Sequence, residues 1–490
     1  MRQIEAVVKN RPGTARTNVS ARRPFLSAVL LGGFVLAFDV PAAHAESLLS
    51  ALARAYVGNP DLNQNRASVR AQDEEAPKAL AGLRPKASFQ AIAGAQTGAA
   101  KILAGRSAIT GQRQFFTDEF ISYPRGATLA VSQTIFDGGH TESAFRQAES
   151  SVLAARARLR LTEQAVLQKS AAAYMNVLRD SAIMKLRMNN ISVLEQQLRV
   201  TADRFDVGAV TETDVAQAQA SLAQARSALY AAQAQIKTSV AAYRQIIGDE
   251  PRRLEPARSV ESLLPRLLNE AVAVALAENP GVAAALYQVD AAEQAAKKAE
   301  SVLSPTLSVS AQIVNQHDSI MGIPGSRQFA AAVIGQLNVP LYQGGGEYSS
   351  IRQAKERLGQ ERLNADVQRD SVRASVVSSY GMLEAAKASL ISGRATEMAA
   401  ETALIGVRDE ARTGKRTTLD VLNAQQSLLN ARVAIVVAQR DVVVASYEAL
   451  SAVGGLTARS LNLDVPIYDP RLHYEQIRTK WFGVDAPAFR

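Results

Sequence analysis

Two spacings of apolar and polar residues run along this chain. One repeats every second residue. Phe329, Ala331, Val333, Gly335, Leu337, Val339 and Leu341 interleave with Gln328, Ala330, Ala332, Ile334, Gln336 and Asn338. Ala127, Leu129, Val131, Gln133 and Ile135 interleave with Thr128, Ala130, Ser132 and Thr134. Weaker alternation follows Pro85 (Phe89, Ala91, Ala93) and Pro305 (Leu307, Val309, Ala311, Ile313). Period two predicts strands, here over about 86–97, 126–136, 305–315 and 327–341. Elsewhere the spacing is three and four. Val215, Ala218, Leu222, Ala225, Leu229, Ala232 and Ile236 form one stripe, and Val421, Ala424, Leu428, Ala431, Ile435, Ala438 and Val442 form another. Large and small residues alternate along both stripes. That predicts a heptad seam between closely approaching helices, although an ordinary amphipathic bundle core gives a similar stripe.

These elements occur twice. Tyr342-Gln-Gly-Gly stands 206 residues after Phe136-Asp-Gly-Gly, and Arg352-Gln-Ala stands 206 after Arg146-Gln-Ala. The same offset relates Tyr174 to Tyr380, Gly208 to Gly414, Asp214-Val215 to Asp420-Val421, and Gly248 to Gly454. Earlier in each half the offset is 220, as between Asn59-Pro60 and Asn279-Pro280, or Pro85 and Pro305. The first copy therefore carries about 14 extra residues between Pro85 and Gly138. A fixed long period makes the chain a tandem repeat, over 46–260 and 261–456, with a tail over 457–490.

Prolines mark where helices run. None lies between Pro124 and Pro251, or between Pro340 and Pro466. Helices are expected over about 141–205 and 211–247 in the first half, and 346–412 and 417–452 in the second. At 1.5 Å per residue the longest are roughly 95 Å, far beyond a globular domain, which favours extended coiled coils. Gly359, Gly381, Gly393 and Gly406 fall inside one of them. Each costs up to about 1 kcal/mol relative to Ala, so close helix packing is expected there.

The strand count decides more than the strands themselves. Ten-residue strands with one apolar and one small or polar face suit a membrane β-barrel, although two soluble hairpins fit the same pattern. Four strands cannot close a barrel, since small barrels need about eight, and open edges are excluded from lipid. Several chains must then share one barrel, with eight strands from two copies or twelve from three.

Composition adds a compartment. Arg22 and Arg23 precede an apolar run from Phe25 to Phe38 and an Ala43-His44-Ala45 motif, which read as a signal peptide over 1–45 cleaved after Ala45. The run is too short to span a bilayer. The whole chain carries +9, and the signal carries six Arg/Lys against two Asp/Glu. The remainder is 9 − 4 = +5, too weak to argue for nucleic acid. With no cysteine there is no disulfide, thiolate metal site or cysteine nucleophile.

The glycine stretches FDGGHTESAFRQA and YQGGGEYSSIRQA first suggest a phosphate loop. Gly344 and Gly346 fit G-x-G-x-x-G, but Ser349 fills the third glycine position, and the run that follows is too long for a crossover helix. Because both copies follow a strand and open a long helix, Phe136, Gly138 and Gly139, with Tyr342, Gly344 and Gly345, read instead as a strand-to-helix bend with rim aromatics. His44, His140, His317 and His473 are isolated in sequence and read as surface residues. No catalytic, cofactor or metal constellation emerges.

At this point the chain resembles the TolC family of outer-membrane channel proteins. The resemblance covers the mature chain. It rests on the duplicated plan and on the paired turns RFDVGAVTETDVAQAQ and RTGKRTTLDVLNAQQS. It implies a homotrimer in the outer membrane, with a twelve-stranded β-barrel continuing into a long periplasmic α-barrel. Such a duct docks on a periplasmic adaptor and an inner-membrane transporter of the RND, MFS or ABC type. It passes drugs or unfolded proteins outward without covalent chemistry. By the same resemblance Arg204, Val207, Gly208, Arg412, Thr413 and Gly414 mark the periplasmic tip. Asp420 matches a constriction aspartate, and Asp214, Thr213 and Arg416 match a linking network. Asn423 stands where a second constriction aspartate can occur, and Ala411 replaces a linking tyrosine, so one acidic ring and a weaker latch are expected. Both aspartates also suit helix starts: capping or linking is the stronger expectation for Asp214, lumen lining for Asp420. A periplasmic coiled-coil scaffold would explain the helices but not the strands.

Overall fold

A computed structural model describes residues 46–485 except 321, 322 and 324. The expected signal peptide lies outside the described residues. The first half holds three short helices, α1 (Leu48–Gly58), α2 (Pro60–Asp73) and α3 (Glu75–Leu80). Strands β1 (Lys86–Ala93), β2 (Gln96–Arg106), β3 (Arg113–Ser122) and β4 (Arg125–Phe136) follow, then the long helices α4 (His140–Asp206) and α5 (Glu212–Ile247). The second half holds α6 (Leu268–Glu278), α7 (Pro280–Glu300), β5 (Thr306–His317), β6 (Arg327–Asn338), α8 (Gly346–Arg412) and α9 (Thr418–Val453). A short α10 (Arg471–Ile477) lies in the tail. At 67 residues each, α4 and α8 are about 100 Å long. Among the described residues no helix is long and apolar enough to cross a membrane.

The strand expected over 86–97 is not one strand. The chain leaves the main sheet after Ala93, and the extra residues of the first copy form a separate ribbon of β2 and β3. Gly94 N–H donates to the Pro124 carbonyl at 2.8 Å and links ribbon to sheet. Most of the ribbon's residues are exposed, with Phe120 and Ser122 as the buried exceptions, so its strands carried too little alternation to be read as such. Gly98 leaves room for the buried Phe120 ring, whose Cζ would stand 3.0 Å from any Cβ there.

The main sheet still has four antiparallel strands in the order β1-β4-β5-β6. Its register aligns polarity across the strands. Phe89, Leu129, Ile313 and Ala331 are direct partners, as are Ala87, Val131, Ala311 and Val333. The other face carries rows such as Ser88, Ala130, Gln312 and Ala332. One face is therefore apolar and exposed, with Phe89 at 70% and Val333 at 77%, while the other is small and polar.

The helices pair as α4 with α5 and α8 with α9. Both stripes are buried or half-buried. Within one chain, close packing accounts for one of the four glycines of α8. A Cβ at Gly393 would lie 3.3 Å from Ile435 Cγ1, but Gly359, Gly381 and Gly406 face open space. The main core gathers where the short helices meet the middle of the long ones, around Leu52, Leu167, Tyr174, Tyr243 and Tyr447.

The repeated landmarks have shared jobs in this core. Asn59 caps α2 and donates through Nδ2 to the Ile246 carbonyl at 2.9 Å; Asn279 caps α7 and donates to the Ala452 carbonyl at 2.9 Å. The Tyr174 hydroxyl lies 2.7 Å from the carbonyls of both Glu46 and Glu255, and burial pushes its pKa up to about 12. Tyr380 donates to the Pro265 carbonyl at 2.9 Å. Each tyrosine pins the irregular strap beside its long helix. His473 is not a surface residue. Its Nδ1 lies 3.0 Å from the fully buried Asp73 carboxylate, and with Tyr474 on Glu149 (2.8 Å) it holds α10 against α2 and α4.

Candidate functional site

The two helix–glycine–helix turns are built alike. Gly208 and Gly414 have φ of +75° and +77°, a left-handed conformation that glycine adopts without steric cost. The Ala209 N–H returns to the Arg204 carbonyl at 2.8 Å, and the Lys415 N–H to the Glu410 carbonyl at 2.9 Å, which closes each first helix. The next helix opens on a reciprocal cap. Thr211 N–H donates to Asp214 Oδ2 at 3.0 Å while the Asp214 N–H donates to Thr211 Oγ1 at 3.3 Å. Thr417 and Asp420 repeat this at 3.0 and 3.2 Å. Thr211 and Thr417 were missed in sequence, yet the T-x-x-D spacing that encodes the box is legible there.

Asp420 thus has the same capping role as Asp214 within one chain, which the sequence reading ranked second for it. Hydrogen bonds from the Thr417 N–H and hydroxyl, with Arg416 nearby, hold its carboxyl below the usual carboxylate range. Asp214 is lowered by the Thr211 N–H and hydroxyl, and the Thr418 hydroxyl of the other half reaches it too. Arg416 pairs with Glu410 at 2.8 Å, Arg412 with Asp409 at 3.2 Å, and the Thr413 hydroxyl donates to the Glu410 carbonyl at 2.9 Å. Thr213 and Val207 are exposed beside the first turn. Asn423 lines a cleft between the two coiled coils with Leu194, Leu419 and Gln426, next to a small cluster of Leu194, Leu222 and Leu422. The two turns are therefore neighbours at one end of the helices.

At the other end the bends differ between copies. Gly138, Gly139, Gly344 and Gly345 all have positive φ, from +66° to +84°. A Cβ at Gly138 would stand 2.2 Å from Ser304 Cβ, whereas Gly344 faces open space. Phe136 and Tyr342 are exposed beside them.

A duplicated, exposed apolar sheet feeding two long helical hairpins is an unusual combination, and comparison with known proteins places it. The family model for outer membrane efflux proteins matches residues 51–249 and 271–455. The chain belongs to the outer membrane efflux protein family. It is 41% identical over 464 residues to the outer membrane efflux protein BepC of Brucella suis biovar 1, covering 95% of this chain and 97% of that one. It is 25% identical over 455 residues to the outer membrane protein TolC of Escherichia coli K12, covering 89% and 87%. In fold it is similar to the outer membrane channel CmeC of Campylobacter jejuni, with a TM-score of 0.70 and 15% identity over 88% and 89% of the two chains. Membership fits the fold: the family's β-barrel and α-barrel parts correspond to the sheet and the long helices.

Proposed function

We propose that three copies of this chain assemble into the exit duct of a tripartite efflux pump or type I secretion system. One observation carries the reading. The sheet has an apolar face and two open edges, β1 and β6, and it runs through the glycine bends directly into helices about 100 Å long. Open edges are excluded in lipid, so copies must pair β6 of one with β1 of the next. The strand directions allow it, because β1 and β5 run one way and β4 and β6 the other. Twelve strands then enclose a lumen lined by the small, polar face.

In this reading the turns at Gly208 and Gly414 form the periplasmic tip and meet an adaptor, which connects to an RND, MFS or ABC transporter. The Asp420 carboxylates line the narrow end as one acidic ring, and Asp214, Thr213 and Arg416 link neighbouring coiled coils. The signal peptide directs export and is removed after Ala45. A deletion strain tests the function. Hypersensitivity to toxic compounds supports efflux, and loss of secreted proteins supports secretion; neither change would refute both. Crosslinkers placed at Gly208 and Gly414 should capture the adaptor. Asp420→Ala channels should lose cation preference, and unchanged selectivity would remove the ring.

A further inference from the structure

The apolar face of the sheet ends in a row of bases. At the end of the strands away from the helices, Arg125 on β4, His317 on β5 and Arg327 on β6 are direct cross-strand partners. They share the face of Phe329, Leu129 and Ile313, which lie in the next rows down. Arg125 and Arg327 stand two strands apart with His317 between them, a basic row whose two guanidinium groups an anion can bridge. One acid is near. Asp318 reaches Arg125 at 3.7 Å, but it also accepts the Gly325 N–H within its own turn. That turn, Asp318 to Ser326, reads DSIMGIPGS and holds no other acid. Arg327 is exposed and has no ion pair among the described residues. Nor would a second copy supply one through its edge strand, since β1 reads KASFQAIA.

The height of the row is informative. From Phe329 to Leu337 the apolar rows cover eight residue steps, roughly 26 Å along the strand, which at a barrel-strand tilt of about 40° is roughly 20 Å of height, most of a barrel's lipid band. The bases begin where that band stops, on the outer side, because the helices leave from the inner end. We propose that Arg125, His317 and Arg327 bind the phosphates of a phosphorylated glycolipid in the outer leaflet, whose acyl chains lie along Phe329, Leu129 and Ile313. Adjacent strands are about 4.8 Å apart, so the two arginines sit about 10 Å apart with His317 between them, a spacing that suits two phosphates on one headgroup.

The proposal rests on the apolar face meeting lipid, and the test separates the two. Full-length wild type and an Arg125→Gln/Arg327→Gln double variant are reconstituted into phosphatidylcholine vesicles doped with bis-phosphorylated or dephosphorylated lipid A. Lipid retained after extraction is counted by mass spectrometry. Wild type should retain the phosphorylated form preferentially. The double variant should bind it about 30-fold more weakly, and an Arg125→Lys/Arg327→Lys variant should recover most of the difference. Equal retention by wild type and the Gln variant, or equal retention of both lipid forms, overturns the site. Full displacement by inorganic phosphate would make it a simple anion site and overturns the lipid assignment. Failure of wild type to enter the vesicles at all refutes the lipid-facing reading beneath it.

Discussion

Gly138 and Gly344 occupy matched positions in sequence, yet substituting them should have unequal effects. An alanine at either must adopt the left-handed conformation, at φ of +66° or +77°, which costs roughly 1–2 kcal/mol. At Gly344 that is the whole cost, because a Cβ there meets nothing. At Gly138 the new Cβ falls 2.2 Å from Ser304 Cβ, 2.9 Å from its Oγ and 3.2 Å from the Ser301 carbonyl oxygen. Ordinary carbon contacts are about 3.5–4.0 Å, so Ser304 must move by more than about 1 Å. Overpacking of that kind adds about 1–3 kcal/mol. Gly138→Ala should therefore lose about 2–5 kcal/mol and Gly344→Ala about 1–2 kcal/mol. Thermal unfolding of the detergent-solubilised protein, followed by circular dichroism, ranks them. The decisive arm is a double variant. Adding Ser304→Gly removes the clashing side chain, so Gly138→Ala measured in that background should fall to the Gly344→Ala level. Equal losses at the two glycines, or no relief from Ser304→Gly, would refute the steric reasoning.

Four further outcomes follow from the structure. Thr211→Ala removes half of a capping box and should cost about 1 kcal/mol, with faster protease cleavage at the adjacent turn as the readout. Because Asp214 and Asp420 titrate below their ordinary value of 3.8, their contribution is complete above that pH and is lost as pH falls through the depressed folded values; Asp214→Asn/Asp420→Asn should flatten the acid limb of a stability–pH curve. Tyr174→Phe and Tyr380→Phe each remove one donated hydrogen bond to a strap carbonyl, and each should cost about 1 kcal/mol in thermal unfolding. His473→Ala leaves the buried Asp73 carboxylate short of a partner, and trypsin should then cut the tail faster at Arg471 or Arg478.

What could be read from the sequence and what could not divide along physical lines. The long helices were legible because proline is absent and the seams keep their spacing. The duplicated turns were legible because a left-handed glycine and a Thr-x-x-Asp cap each need particular residues. The β2–β3 ribbon was not, since two mostly exposed strands carry little alternation. The contact of Gly138 with Ser304 joins the two repeats across the fold, and local patterning carries no trace of it. His473 looked solitary for the same reason, with its partner Asp73 400 residues away. The glycines of α8 misled in the other direction. Three of them face open space in one chain, so close packing within the chain does not account for them.

The central claim is that copies of this chain close into a membrane-spanning duct. Its most direct test is electrical. Purified full-length protein, isolated as a heat-resistant trimer from outer-membrane extracts, is added to one side of a planar lipid bilayer. The expected result is stepwise, long-lived current at trimer concentrations, reduced or lost when β1–β6 pairing is blocked by proline at Phe89 and Val333. A protein that fractionates as soluble periplasmic material, or that enters bilayers without any conductance, would contradict the account.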